Sequence, residues 1–439
     1  MDDYVLYWMQ QSQRMEYNKA LSKATKIGNE LGKKVKVLFC LTDDFKDGNL
    51  RSYQFMLEGI LETRDRLLKE GYSFDLVIGS IPNSLKPYIK NSCQVVCDVG
   101  YLRFQRKWRD QVLSMCKKFE KKCHLVETDL IIPVEEASNK QEYMAWTFRK
   151  KVNKKLDRYL TPVDNTDLIY RSKPNDDTKL NLDYLISKLN IDKSVKPSKK
   201  LVGGYSKAKK MLNHFIVNKL IDYNRSQSPA LELTSLMSPY LHFGQIAALE
   251  IALEIKKIKQ VSDNKNMLES IEQFLEQLII RRELSYNFVY YNKKYDSFNH
   301  ITSDWAYKTM SKHKTDKREY IYNLKQLEAC QTHDKYWNTA MKEMIKTGYM
   351  HGYMRMYWCK KIIEWSKDYQ TAYDNALYLN NKYFIDGRDA NSYVGVAWCF
   401  GLHDRAWKER DIFGKLRYMN KNGLERKFDM KKYIQRINE

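Results

Sequence analysis

The sequence predicts an N-terminal α/β domain with a Rossmann-like parallel sheet, followed by an all-α domain. Three observations carry this. Up to residue 129, short β-branched or aromatic runs alternate with helical stretches; around 165 to 205 the chain turns polar and irregular; beyond 205, long helical periodicities dominate and no strand-like alternation persists. The expected organisation is an α/β domain over 1–165, a linker over 166–204 and a helical domain over 205–439.

The first strand is "YVLYW" (4–8) and the second "KVKVLFCL" (34–41), with the helical stretch "NKALSKATKIGNEL" between them, which makes a βαβ unit. Helix "RSYQFMLEGILETRDRLLKEG", strand "FDLVIGS", a helix near 84–91, strand "CQVVCDV", a helix over 103–122 and strand "HLVETD" continue the alternation. Five strands of this kind form a parallel sheet. No GxGxxG follows the first strand, so the dinucleotide reading of this topology is unsupported. In the linker, "SKPNDDTKLN" and "DKSVKPSKK" supply Pro, Ser and Lys. After it, "SKAKKMLNHFIVNKLIDYN", "QIAALEIALEIKKIK" and "NMLESIEQFLEQLIIRRELSYNF" read as helices.

Composition narrows the class. Hydrophobic residues make up 43% and aromatics 13%, which argues against disorder, and no run reaches the roughly 18 apolar residues of a membrane span. "MDDYVLYWMQ" shows neither a signal peptide nor a basic presequence, so a cytoplasmic location is expected, with nuclear access left open. The net charge of +22 points to a polyanionic partner, although Lys, Asn, Tyr and Ile together also fit an AT-rich genome. Eight cysteines without a CxxC pair read as reduced thiols, and no metal site is expected.

Three segments stand out. In "TSLMSPYLHFGQI" the hydroxyls of Thr234, Ser235 and Ser238 precede a helix, where they serve either as caps or as donors to a phosphate. "LNNKYFIDGRDANSYVGVAW" packs Asn, Asp and Arg into a loop, and turn chemistry explains each residue singly but the string poorly. "MHGYMRMYWCKKIIEW" carries tryptophans at 358 and 365; seven apart on a helix, they share a face about 10 Å apart, which core packing alone could explain.

These segments, with "YWMQQSQRMEYNKAL", "VLFCLTDDF", "EEASNKQEYMAWTFR", "RRELSYNFVYYN" and "HDRAWKERDIFGKLRYM", resemble the class II cyclobutane pyrimidine dimer photolyases over nearly the whole chain. The resemblance implies a helical domain holding FAD bent into a U. In that family, light excites the reduced flavin (FADH−), which passes an electron to the dimer and recovers it after the ring splits. Double-stranded DNA containing pyrimidine dimers becomes the expected partner, and the protein a monomer with no membrane association.

By the resemblance, Trp358 lies nearest the flavin, and Trp337 and Trp365 complete an indole chain ending at the protein surface. Tyr223, Thr234, Ser235, Leu236 and Ser238 contact the ribityl and diphosphate; Arg355 and Asp386 form a pair beside the isoalloxazine; Asn380 faces N5. Arg388, Asp389, Tyr322 and Met356 are further pocket members. Trp398 is the wall against which a flipped lesion packs, with Arg281, Arg405 and Arg417 on the DNA side. Gln277 stands where the family carries a carboxylate, and Glu276 beside it reads as a helix-surface or capping charge.

Among the histidines in these segments, neither His351 nor His403 falls at a position that the resemblance assigns to proton transfer, so the cyclobutane dimer is the expected lesion and His351 reads as a helix-start residue. An antenna chromophore, deazaflavin or folate, is compatible with the first domain, but no motif selects one. The alternatives are a cryptochrome-like photosensor without repair activity and a flavin-free basic DNA-binding scaffold.

Overall fold

The computed structural model describes residues 4–164, 166–173 and 180–438. Strands β1 (Tyr4–Met9), β2 (Lys34–Leu41), β3 (Ser73–Ile78), β4 (Ser92–Asp98) and β5 (Lys122–Val126) form one sheet of order β3-β2-β1-β4-β5. All four pairings are parallel. Helices α1 (Lys19–Leu31), α2 (Leu50–Lys69), α3 (Lys86–Asn91) and α4 (Arg103–Lys118) cover both faces. Covering explains why β1 reads as an unbroken apolar run: Val5 to Met9 are all buried. The strand order reverses between β1 and β4, and in such sheets the crevice beyond the carboxyl ends at that point is where ligands bind.

Chain leaving β1 is fixed there by Asp98 at the end of β4. Its carboxylate accepts the backbone N–H groups of Gln10 (3.1 Å), Gln11 (3.0 Å) and Ser12 (2.8 Å).

The remainder is helical: α5 (Val134–Ala137), α6 (Ala145–Asn153), α7 (Leu156–Tyr159), α8 (Leu182–Ser187), α9 (Tyr205–Asn218), α10 (Ser238–His242), α11 (Ala248–Val261), α12 (Lys265–Leu275) and α13 (Arg282–Tyr291). Then follow α14 (Asp304–Lys312), α15 (Leu324–Glu328), α16 (Lys335–Thr347), α17 (Gly352–Trp365), α18 (Tyr369–Tyr383), α19 (Ala390–Cys399), α20 (Lys421–Lys427) and α21 (Met430–Asn438). None is long and apolar enough to cross a membrane among the described residues.

The linker is more ordered than its composition predicts. Asn181 caps α8 by accepting from Tyr184 N at 3.0 Å, and Leu185 and Leu189 bury themselves in the core of the α/β domain. Residues 174–179 of the expected linker lie outside the described residues. Ile131, Ile132, Phe148 and Val152 share a core with α9, α11 and α12, so chain preceding the linker already packs into the helical half.

Buried polar contacts join the two halves. Arg282 of α13 donates to Asp129 Oδ1 at 2.5 Å and to the Asp129 carbonyl at 3.2 Å, and Glu283 accepts from Ile131 N at 2.7 Å. Arg14 donates to the carbonyls of Gly244 (2.9 Å) and Thr128 (2.6 Å). Gly244 has φ +64, and a Cβ there would lie 1.9 Å from the Gln11 carbonyl, so only glycine permits this approach.

The pair Arg282–Asp129 is almost fully buried, and losing one partner leaves an uncompensated charge. Arg282→Met should therefore lower stability by about 3–5 kcal/mol, and adding Asp129→Leu should recover much of it. Urea denaturation of both variants checks this; a single variant as stable as the parent would show that the pair does not hold the halves together.

Candidate functional site

The loop 234–238 changes backbone hand from one residue to the next. Leu236 takes a left-handed φ of +56, uncommon for a branched side chain, and Met237 follows in the right-handed region. Successive residues of opposite hand turn their N–H groups to one side and form a concavity for phosphate-like oxygens. Thr234 Oγ1 accepts from Tyr349 OH at 2.9 Å, and Ser235 Oγ from Met237 N at 3.4 Å. Ser238 opens α10 exposed, without making a cap hydrogen bond. Tyr223 stands edge-on to Phe215 and Phe274, and burial pushes its phenol up to about 12. Tyr349 escaped the sequence reading; what places it is the left-handed Gly348 that ends α16.

Helix α17 carries the next residues. His351 caps it: Nδ1 accepts from Tyr353 N at 3.2 Å while Nε2–H donates to the Ser226 carbonyl at 2.8 Å, as expected of a helix-start residue. One turn on, Arg355 places one nitrogen 3.0 Å from both oxygens of Asp386, with its guanidinium carbon 3.7 Å from the Phe384 ring centre. Asn380 is buried and donates to Asn381 Oδ1 at 3.1 Å.

Arg388 and Asp389 lie in the same loop, but their polar atoms are held by the protein itself. Arg388 donates to the carbonyls of Asn381 and Ile385, and burial lowers it to about 10. Asp389 Oδ1 accepts from Ala390 N at 2.6 Å and from Tyr286 OH at 3.3 Å, and burial raises the carboxyl to about 6.

The three indoles form one row, although helical spacing alone does not connect them. Trp337, supplied by α16, lies 6.4 Å from Trp358 with planes 11° apart and 5.8 Å from Trp365 at 67°. Its Nε1–H donates to the Trp358 carbonyl at 3.0 Å. Trp358 Nε1 is buried and has no protein partner, a cost that a bound acceptor would remove.

Trp365 is itself buried at 3% exposure, so the row does not reach the surface there. It continues through Tyr322, 5.5 Å away, whose OH bonds His333 Nδ1 at 2.8 Å, and Tyr320 stacks on His333 at 3.8 Å and is 38% exposed. Tyr322 thus stands at the outer end of the row, against Trp365, and is not brought together with the 234–238 loop. Met356 lies half-buried on α17 between Arg355 and Trp358.

On the other side, cations and indoles alternate. Lys360 Nζ lies 5.7 Å from the half-buried Trp398 ring; Arg417 lies 5.1 Å from Trp398 and 4.1 Å from Trp407; Arg405 lies 4.9 Å from Trp407. Asp404 anchors the stack by accepting from Arg417 Nε at 2.9 Å. Trp407 was missed from sequence because a single Trp in a charged segment carries no periodicity.

A π-helical segment, Glu276–Arg281, leads into α13 and leaves Gln277 exposed. Glu276 is an ion-pair partner, accepting from Arg149 at 2.9 and 2.6 Å and from Arg281 at 3.2 Å.

A separate cavity lies beyond the carboxyl ends of β1 and β2, walled by Trp8, Phe39, Phe45, Phe104 and Trp108 and reaching Arg388 and His242. Both amide atoms of Gln10 and Oε1 of Gln13 are buried there without partners.

The DNA photolyase family model matches residues 5–167. A deoxyribodipyrimidine photo-lyase of Methanothermobacter thermautotrophicus is 42% identical, covering 99% of this chain and 94% of its own. The chain belongs to the DNA photolyase family. One from Arabidopsis thaliana is 37% identical over 98% of this chain and 88% of its own. By fold, this family member resembles an archaeal photolyase from Sulfolobus tokodaii, solved with two FAD molecules (TM-score 0.73, 16% identity, 98% and 89% coverage). It also resembles a class III photolyase from Agrobacterium tumefaciens (TM-score 0.75, 17%, 100% and 86%). This photolyase-family member is an enzyme, a lyase.

Burial holds His351 down to about 4, below the roughly 6.5 of an unfolded chain. The unfolded state therefore binds more protons in that window, so the contribution is complete above pH 6.5 and is lost on acidification towards 4, up to about 3 kcal/mol. His351→Gln should flatten the stability-against-pH slope between pH 4 and 6.5, as read from urea midpoints; an unaltered slope would contradict the assignment.

Proposed function

We propose that this enzyme is a class II photolyase that uses FAD and light to reverse cyclobutane pyrimidine dimers in DNA. The observation that carries the reading is the indole row ending at the unpartnered Nε1 of Trp358, one turn from the Arg355–Asp386 pair. Thr234, Ser235 and the N–H groups around Leu236 would hold the diphosphate, with Tyr223 beside them. Arg355 and Asp386 would flank the isoalloxazine as a neutral pair, which costs less to bury than a lone charge, and the Asn380 amide would face N5. Bound there in reduced form, FAD supplies a light-excited one-electron donor whose electron opens the cyclobutane ring and then returns.

The chain's own residues do the rest. Trp365, Trp337 and Trp358 hand electrons inward, since indole is readily oxidised and the steps are short. Trp398 offers a ring face to the flipped dimer, whose weakened pairing lowers the cost of extrusion. Gln277, exposed where the family carries a carboxylate, donates an amide hydrogen bond to the pyrimidine carbonyl. Arg281, Arg405 and Arg417 contact the DNA side. The aromatic cavity at the end of the sheet, with its unpartnered glutamine amides, suits a planar hydrogen-bonding antenna chromophore such as a deazaflavin or folate.

Trp337→Phe keeps the packing but removes the middle oxidisable ring. It should leave flavin bound while strongly slowing photoreduction of the oxidised protein, and the chemically reduced variant should still repair. Blue-light photoreduction followed by absorbance tests this, and a parental rate would rule out the row.

Trp398→Ala should weaken dimer affinity by on the order of 1–3 kcal/mol, in line with base–aromatic stacking. Illuminating the reduced enzyme with oligonucleotides carrying either a cyclobutane dimer or a (6-4) photoproduct, followed by chromatography, decides the substrate. Thymines recovered from the (6-4) lesion, with the dimer untouched, would overturn the proposal.

A further inference from the structure

We infer that Tyr143, Trp146 and Lys150, at the start of α6, form a second DNA-contacting lip, which stacks on and neutralises the strand at the edge of the lesion site. This rests on the proposed DNA-repair reading. The first observation is exposure: Trp146 is 57% and Tyr143 52% exposed, beside Ala145 and Phe148, which are buried in the helical core. The packing face of this helix is already satisfied by those buried residues, so the helical core does not account for the exposed indole. The second is charge: Lys150 Nζ stands 3.6 Å from the Trp146 ring centre and has no carboxylate partner among the described residues, whereas neighbouring Lys151 pairs with Glu142 and Arg149 with Glu276. An aromatic plate with an unneutralised ammonium over it is the chemistry that takes a base or sugar together with its phosphate.

The third observation is position. His403 Nδ1–H donates to the Tyr143 carbonyl at 2.7 Å, tying α6 to the loop that presents Arg405. Arg149 and Arg281 share Glu276, tying it to the segment that presents Gln277. His403 takes a positive φ of +55, and desolvation lowers its imidazole to about 4, so this tie is a hydrogen bond from a neutral ring. The lip is therefore braced against both flanks of the proposed substrate opening, and the occupant it fits is DNA entering that opening.

The test compares Trp146→Ala, Lys150→Ala and the parent, all flavin-loaded, on a duplex oligonucleotide with one cyclobutane thymine dimer and on a trinucleotide carrying the same lesion. On the duplex, Trp146→Ala should bind about 5- to 20-fold more weakly, and Lys150→Ala should flatten the salt dependence by about one unit or less. Both variants should keep parental affinity for the trinucleotide, because the lesion pocket is intact, and the parental flavin spectrum. Parental duplex affinity and salt slope in both variants would overturn the lip. Equal weakening on duplex and trinucleotide would also overturn it, by showing that the pocket had been disturbed. If the parent itself fails to prefer the lesion duplex to undamaged duplex, the repair reading fails instead.

Discussion

The two halves of the molecule meet across buried guanidinium groups, which fix the helical half against the end of the sheet. Arg282 reaches from α13 to Asp129 just beyond β5, and Arg14 reaches from the end of β1 to the turn at Gly244 that follows α10. A guanidinium in such a place is costly unless each donor finds a fixed acceptor, so these contacts tolerate one relative position of the halves. Gly244, which admits no side chain against the Gln11 carbonyl, narrows that position further. The glutamines of the sheet crevice thereby face His242 across one cavity.

Within the helical half, α17 organises the chemistry. His351 begins it, Arg355 crosses to Asp386, Trp358 meets Trp337, Lys360 lies behind Trp398 and Trp365 meets Tyr322. One helix thus carries two of the three indoles of the row and sets Lys360 against Trp398. Arg355 and Lys361 find carboxylates and Lys360 a carbonyl, whereas the indole nitrogen of Trp358 is buried without a protein partner.

Sequence reasoning read the fold well where periodicity and composition act locally. The five strands and four helices of the sheet, the helical remainder and the capping role of His351 follow from alternation, apolar runs and end residues. It was weaker in the linker, where α8 forms because a capping Asn181 and two leucines find the sheet's helices to pack on; the local polarity hid this.

What the sequence determined by itself was therefore the kind of protein: a βαβ sheet, a helical domain, a strongly basic chain and motif residues close enough to a known family to name it. Tertiary structure alone decided how distant residues meet. Trp337 stands between Trp358 and Trp365 because α16 packs on α17, not because of any spacing along the chain. Trp407 gains its partners only from Arg405 and Arg417 on either side of it, and Tyr322 belongs with Trp365, not with the 234–238 loop, because its backbone bonds to the Trp365 carbonyl. Periodicity records which face a residue occupies within its own helix; which partner that face meets is set by packing between elements far apart in the chain.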